Sequence, residues 1–120
     1  MTEQVTLVHD FLHSDAFYSP ESMADFLHAE ATMEWHSTNG TLFLKREEII
    51  QLISELNRAY DSCKLHVTHV IGQENLVSAR YSHYVTTHEN PKDELLLAHF
   101  MCIWEVRDEK LYKCWQMSQL

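Results

Sequence analysis

The chain has 120 residues, 45% of them hydrophobic, with two glycines and two prolines, a composition that supports a buried core and excludes the disordered and fibrous classes. Its formal net charge of -9 argues against nucleic acid or anionic membrane as a partner, because both need a basic face and no run of Lys or Arg supplies one. The three cysteines, Cys63, Cys102 and Cys114, lack CxxC spacing and suit reduced thiols better than disulfides or structural zinc.

The apolar runs are too short to span a bilayer and MTEQVTLVHD does not read as a signal peptide, so a cytoplasmic location is expected. Residues 1–120 show no composition break or repeat and are expected to form one domain. The nine histidines are unusual: protonating all of them would cancel the net charge of -9.

In chain order, Thr2 to about Ser14 predicts a helix capped by Thr2, with Val5, Val8, Phe11 and Leu12 on one face. Ser19-Pro20-Glu21 starts a second, short helix with Met23, Phe26 and Leu27 on its buried side. Ala31–His36 predicts a strand, Ser37–Gly40 a turn, and Thr41–Leu44 a further short strand. Lys45–Tyr60 is the clearest helix, with Ile49, Leu52, Ile53, Leu56 and Tyr60 at helical spacing.

From there the period is that of strands: Lys64–Ile71, a turn at Gly72–Asn75, and Leu76–His88. A closing hairpin follows, ELLLAHFMCIWEV, then RDEK, then LYKCWQM, over Glu94–Met117. Helices first and long strands last imply an α+β fold with three N-terminal helices on one face of a bent antiparallel sheet.

Several local signatures occur in a familiar order: a strand ending at Trp35, "KREEII" opening the long helix, "HVIGQENLVSARY" and "FMCIWEVRDEKLYKCWQ". Together they resemble the SnoaL-like branch of the nuclear transport factor 2-like superfamily, which includes ketosteroid isomerase, limonene epoxide hydrolase and polyketide cyclases. The resemblance covers essentially the whole chain. It implies a cystatin-like α+β cone around a pocket, with the outer sheet face often forming a homodimer. Where the isomerase keeps its carboxylate base, its oxyanion-hole tyrosine and its protonated aspartic acid, this chain carries Trp35, Phe11 and Cys102. That chemistry needs a carboxylate and paired donors, so the isomerase mechanism does not carry over. A shift of one residue in the first strand would restore Glu34 or His36 as a base.

Strand alternation assigns the faces. Setting Trp104 opposite Tyr112 and Cys102 opposite Cys114 puts Ala98, Phe100, Cys102, Trp104, Tyr112, Cys114 and Gln116 on one side, the concave one by the resemblance. The preceding strand contributes either Val77, Ala79, Tyr81 and His83 or the set containing Arg80; the first is preferred because a buried Arg80 would be costly. The expected ligand-binding residues are therefore Trp35, Tyr81, His83, Phe100, Cys102, Trp104, Tyr112 and Gln116, with Met33 completing the wall and His83 the candidate acid or base.

No metal and no cofactor is expected. His9 and His13 share a helix face without a third ligand, and His66 and His69 have spacing that sends them to opposite faces of a strand. Leu97, Met101, Ile103 and Trp115 make the other sheet face too apolar for solvent, which predicts a homodimer through it. Three functions fit: a binding protein for a small hydrophobic or aromatic ligand; an isomerase, cyclase or hydrolase acting on a hydrophobic carbonyl compound or lactone through His83 or a tyrosine; and a dimeric protein-interaction module.

Overall fold

The computed structural model describes residues 2–120. Three helices, α1 (Glu3–Leu12), α2 (Pro20–Phe26) and α3 (Arg46–Ala59), pack on a sheet of β1 (Leu27–Ser37), β2 (Gly40–Lys45), β3 (Ser62–Gln73), β4 (Leu76–Thr86), β5 (Leu95–Arg107) and β6 (Lys110–Gln119). Each helix starts where its sequence provides a cap. The Thr2 hydroxyl accepts from Val5 N at 3.2 Å, Ser19 accepts from Ser22 N at 3.2 Å ahead of Pro20, and Glu48 accepts from Lys45 N at 3.0 Å. Val8, Phe11 and Leu12 of α1, Met23 of α2, and Ile49 and Ile53 of α3 are the helical side of one core.

The strands lie in the order β2-β1-β6-β5-β4-β3. All neighbours are antiparallel except β1 and β6, so the sheet is mixed rather than wholly antiparallel. The long meander β3–β6 brings its last strand back beside the first, running the same way.

Four irregularities interrupt the ladders: Thr68 in β3, Leu97 in β5 and Tyr112 in β6 are single bulged residues with no opposite number on the neighbouring strand, and between Leu27 and Thr32 the register of β1 on β6 shifts. They also correct the sequence reading. Trp104 lies opposite Cys114 and Cys102 opposite Gln116, a slip of two residues from the expected pairing. The hairpin closes on Asp108 and Glu109, both in the left-handed region (φ 53° and 61°), and the bulge at Tyr112 absorbs the remaining residue. Tyr112 thereby leaves the inner row and stacks against His28 (5.0 Å) and the Arg107 guanidinium (4.0 Å). The bulge at Thr68 likewise places His66 opposite Ser82 and His69 opposite Arg80, on one face and not on two.

Gly72 is not a turn residue but part of β3, opposite Val77. A Cβ there would collide with Val5 Cγ2, so the missing side chain is what lets α1 sit against the sheet. Gly72→Ala is expected to cost about 2 kcal/mol, the usual price of overpacking, because the β-branched Val5 cannot simply rotate away. Urea denaturation with an unchanged m-value checks this; a loss below about 0.5 kcal/mol would mean that α1 shifts freely.

Candidate functional site

The inner face of the sheet can be read as rows running across the strands. The first is Gly72, Val77, Trp104, Cys114, Met33 and Leu44; the second Val70, Ala79, Cys102, Gln116, Trp35 and Leu42. The third contains Val67, Tyr81, Phe100 and Ser118, and the fourth Leu65, His83 and Ala98. The first row is closed by α1: Phe11 is fully buried with its ring 5.8 Å from Trp104. The inner-face polar groups gather in the second to fourth rows, where Trp35, Gln116, Tyr81, Ser118 and His83 stand among aromatic rings.

These rows bring together six of the eight expected ligand-binding residues: Trp35, Tyr81, His83, Phe100, Cys102 and Gln116. Trp104 sits apart at the closed end, and Tyr112 is outside. Tyr81 and Phe100 stack at 5.2 Å, Trp35 lies 6.2 Å from Phe100, and His83 6.1 Å from it. Tyr81 donates to Gln116 Oε1 at 3.3 Å, and the Trp35 indole donates to Ser118 Oγ at 2.9 Å. Trp35 faces inward, while Glu34 and His36 alternate outward and hydrogen-bond each other at 2.9 Å.

Three further residues belong to this region. Phe17, in the connection between α1 and α2, caps the stack from the helical side, 5.8 Å from Tyr81 and 6.0 Å from His83. Cys63 reaches diagonally from β3 to His83 on β4, where its Sγ is in hydrogen-bond contact with Nε2. Ser118 holds Trp35. Strand alternation counted back from Val70 turns Cys63 outward; the bulge at Thr68 reverses that parity and brings Cys63, Leu65 and Val67 inward. A groove of about 200 Å³ lies beside this corner, lined by Leu12, Phe17, Tyr18, Cys63 and Leu65 and, at its rim, by His13, Asp15 and Lys64; Tyr81, His83 and Phe100 are not part of its lining.

Burial sets the electrostatics. Desolvation lowers the His83 pKa to about 4 and raises that of Cys63 to about 11. Tyr81 is pushed well above its ordinary value by burial and by the thiols of Cys102, Cys114 and Cys63. Cys114 is pushed well above its ordinary value by burial first, with the neighbouring Cys102 thiol adding to the shift. At neutral pH these four groups are all uncharged. The arrangement offers a neutral ligand an imidazole, a phenol and an amide within an aromatic wall. Among the described residues, no group of three or more His, Cys, Asp or Glu side chains converges as a metal site, and no helix is long and apolar enough to cross a membrane.

The model of the SnoaL-like domain matches residues 8–113. No curated protein sequence matches the chain significantly. Among solved structures, the BvnE pinacolase from Penicillium brevicompactum superposes with a TM-score of 0.80 at 13% identity, covering 97% of this chain and 85% of that one. IdmH, a candidate polyketide cyclase from Streptomyces antibioticus, gives 0.76 at 14% identity over 98% of this chain and 92% of its own. A protein of ketosteroid isomerase-like fold from Catenulispora acidiphila, crystallised with trimethylamine, gives 0.70 at 13% identity over 92% and 82%. At these identities the likeness concerns the fold.

Proposed function

The chain belongs to the SnoaL-like domain family, and from that premise we propose that it binds a small, neutral, hydrophobic or aromatic molecule at the Tyr81–His83–Phe100 corner of its cone. The observation that carries this reading is the set of uncharged polar groups held among stacked rings beside an open groove. Trp35, Cys102 and Gln116 belong to the same wall, and Phe17 is the side chain a ligand must displace on entering. Residues 1–120 are read as one domain, because a single core joins α1, α2, α3 and the sheet. The three unpaired thiols fit a reducing, cytoplasmic setting.

Binding is favoured over catalysis by the same burial. A general acid or base works best with a pKa near the operating pH. His83 at about 4 is a weak base, and Tyr81, shifted upward, is a weaker acid than an ordinary tyrosine. The isomerase, cyclase or hydrolase reading therefore has a hydrogen-bonding site without a matched proton carrier.

The test is a panel of planar aromatic ketones, quinones and lactones titrated against the fluorescence of Trp35, which lies 6.2 Å from Phe100. Micromolar quenching is expected for part of the panel, with roughly tenfold tighter binding of small aromatics to Phe17→Ala, whose cavity is apolar. Absence of binding to both proteins at 1 mM would overturn the proposal.

The partner reading is a homodimer through the outer sheet face. There Ile71, Ile103, Trp115 and Phe43 stand in one row across the strands with Ser78 and Glu34 between them, and Met101 and Met117 lie side by side in the next, flanked by Arg80 and His36. Phe43 is 72% exposed and Met117 65%, far beyond what a solvated sheet face carries. A twofold axis along the strands would set Arg80 of one copy over the Glu34–His36 pair of the other, bringing opposite charges together. Leu97, the bulged residue of β5, is half-buried at the margin of this face.

A further inference from the structure

One end of that outer face is rich in histidine. His66, Ser82 and His99 form a row across β3, β4 and β5, and His69 lies opposite Arg80 in the next row. The Ser82 hydroxyl bridges to His99 Nδ1 at 2.7 Å, and Thr68 Oγ1 accepts from Arg80 at 3.2 Å and is 3.0 Å from His69 Nδ1. All three imidazoles and Arg80 are exposed. Among the described residues none of the four pairs with a carboxylate. The other charges of this face are already offset or lie elsewhere. Lys64 is 4.0 Å from Glu94, His36 is held by Glu34, and Glu105, Lys113 and Lys45 share the row at the opposite end.

We propose that the outer face is a pH-gated interface, closed between two copies of this chain at neutral pH and opened by protonation of His66, His69 and His99. This inference rests on the homodimer reading above. Neutral imidazoles beside Met101 and Met117 can be covered by a second copy at modest desolvation cost. Once protonated, they add three positive charges beside Arg80; Glu34 of the other copy answers Arg80 alone, so covering the three imidazoliums strands uncompensated charge in the interface.

Sedimentation velocity at pH 7.5 and pH 5.5, in 150 mM salt, tests it on the wild type and on the triple variant His66→Gln, His69→Gln, His99→Gln, with near-UV circular dichroism confirming that each sample is folded. The dimer dissociation constant of the wild type is expected to rise at least tenfold at pH 5.5, and that of the variant less than threefold. A wild-type constant that does not change with pH, or a variant that shifts as much as the wild type, overturns the gate and leaves the dimer standing. A monomer at both pH values overturns the dimer and the gate together.

Discussion

Phe100→Ala is expected to lower folding stability by about 3–5 kcal/mol, the range for deleting a buried phenylalanine and leaving a cavity. Phe100 is 7% exposed and is the ring against which Tyr81, Trp35 and His83 all pack. Those neighbours are fixed from elsewhere: Trp35 by Ser118, Tyr81 by Gln116 and His83 by Cys63. The site therefore cannot collapse into the vacated volume, and the loss belongs at the upper part of the range. Tyr81→Phe is the useful contrast. It keeps the stack, removes one hydroxyl from Gln116 Oε1, and is expected to cost only about 1–2 kcal/mol. Urea denaturation of both variants, analysed by linear extrapolation, separates the two. If Phe100→Ala costs less than about 1.5 kcal/mol, the corner already contains room and a ligand would not need to move Phe17.

The contrast between the two halves of the chain shows what a sequence carries. Helix starts are local chemistry, so Thr2 and Ser19-Pro20 announced the first two and the structure uses both, while the Glu48 side chain that closes the third start appeared only in the structure. The inner faces of β4 and β5 were equally legible, because Val77, Ala79, Tyr81 and His83, like Phe100, Cys102 and Trp104, alternate without interruption through buried positions. Bulges are another matter. A strand read by alternation alone keeps one parity, and each extra residue reverses it. That reversal sends Tyr112 outward, turns Cys63 toward His83, and gathers His66 and His69 on one face. A trace was present in β3, where Cys63, Leu65 and Val67 keep a two-residue spacing that breaks before Val70. The placement of Phe17 had no such trace, since it depends on a loop crossing the sheet. So the fold and most of the inner face that carries the candidate site were legible, whereas the contacts that give His83 its environment were long-range and were not.

That environment makes stability depend on pH in a defined direction. Burial holds the folded-state pKa of His83 at about 4, against about 6.5 in the unfolded chain. Above pH 6.5 both states are neutral at this residue and nothing changes. Between pH 6.5 and 4 the unfolded chain takes up a proton that the folded chain refuses, so stability falls as pH falls; below 4 both states are protonated and the slope vanishes. A gap of about 2.5 pH units at about 1.36 kcal/mol each amounts to about 3 kcal/mol. His83→Gln isolates this contribution, because the amide retains a polar group near Cys63 and does not titrate. Other histidines and carboxylates give both proteins a common background, so the measured quantity is the difference between their urea stabilities at pH 7, 5.5 and 4.5. That difference is expected to move by about 2–3 kcal/mol in the variant's favour from pH 7 to 4.5. Parallel profiles would mean that His83 accepts its proton in the folded state. The uncharged site proposed for a neutral ligand would then carry a positive charge in mild acid, and a carboxylate-bearing ligand would fit it better.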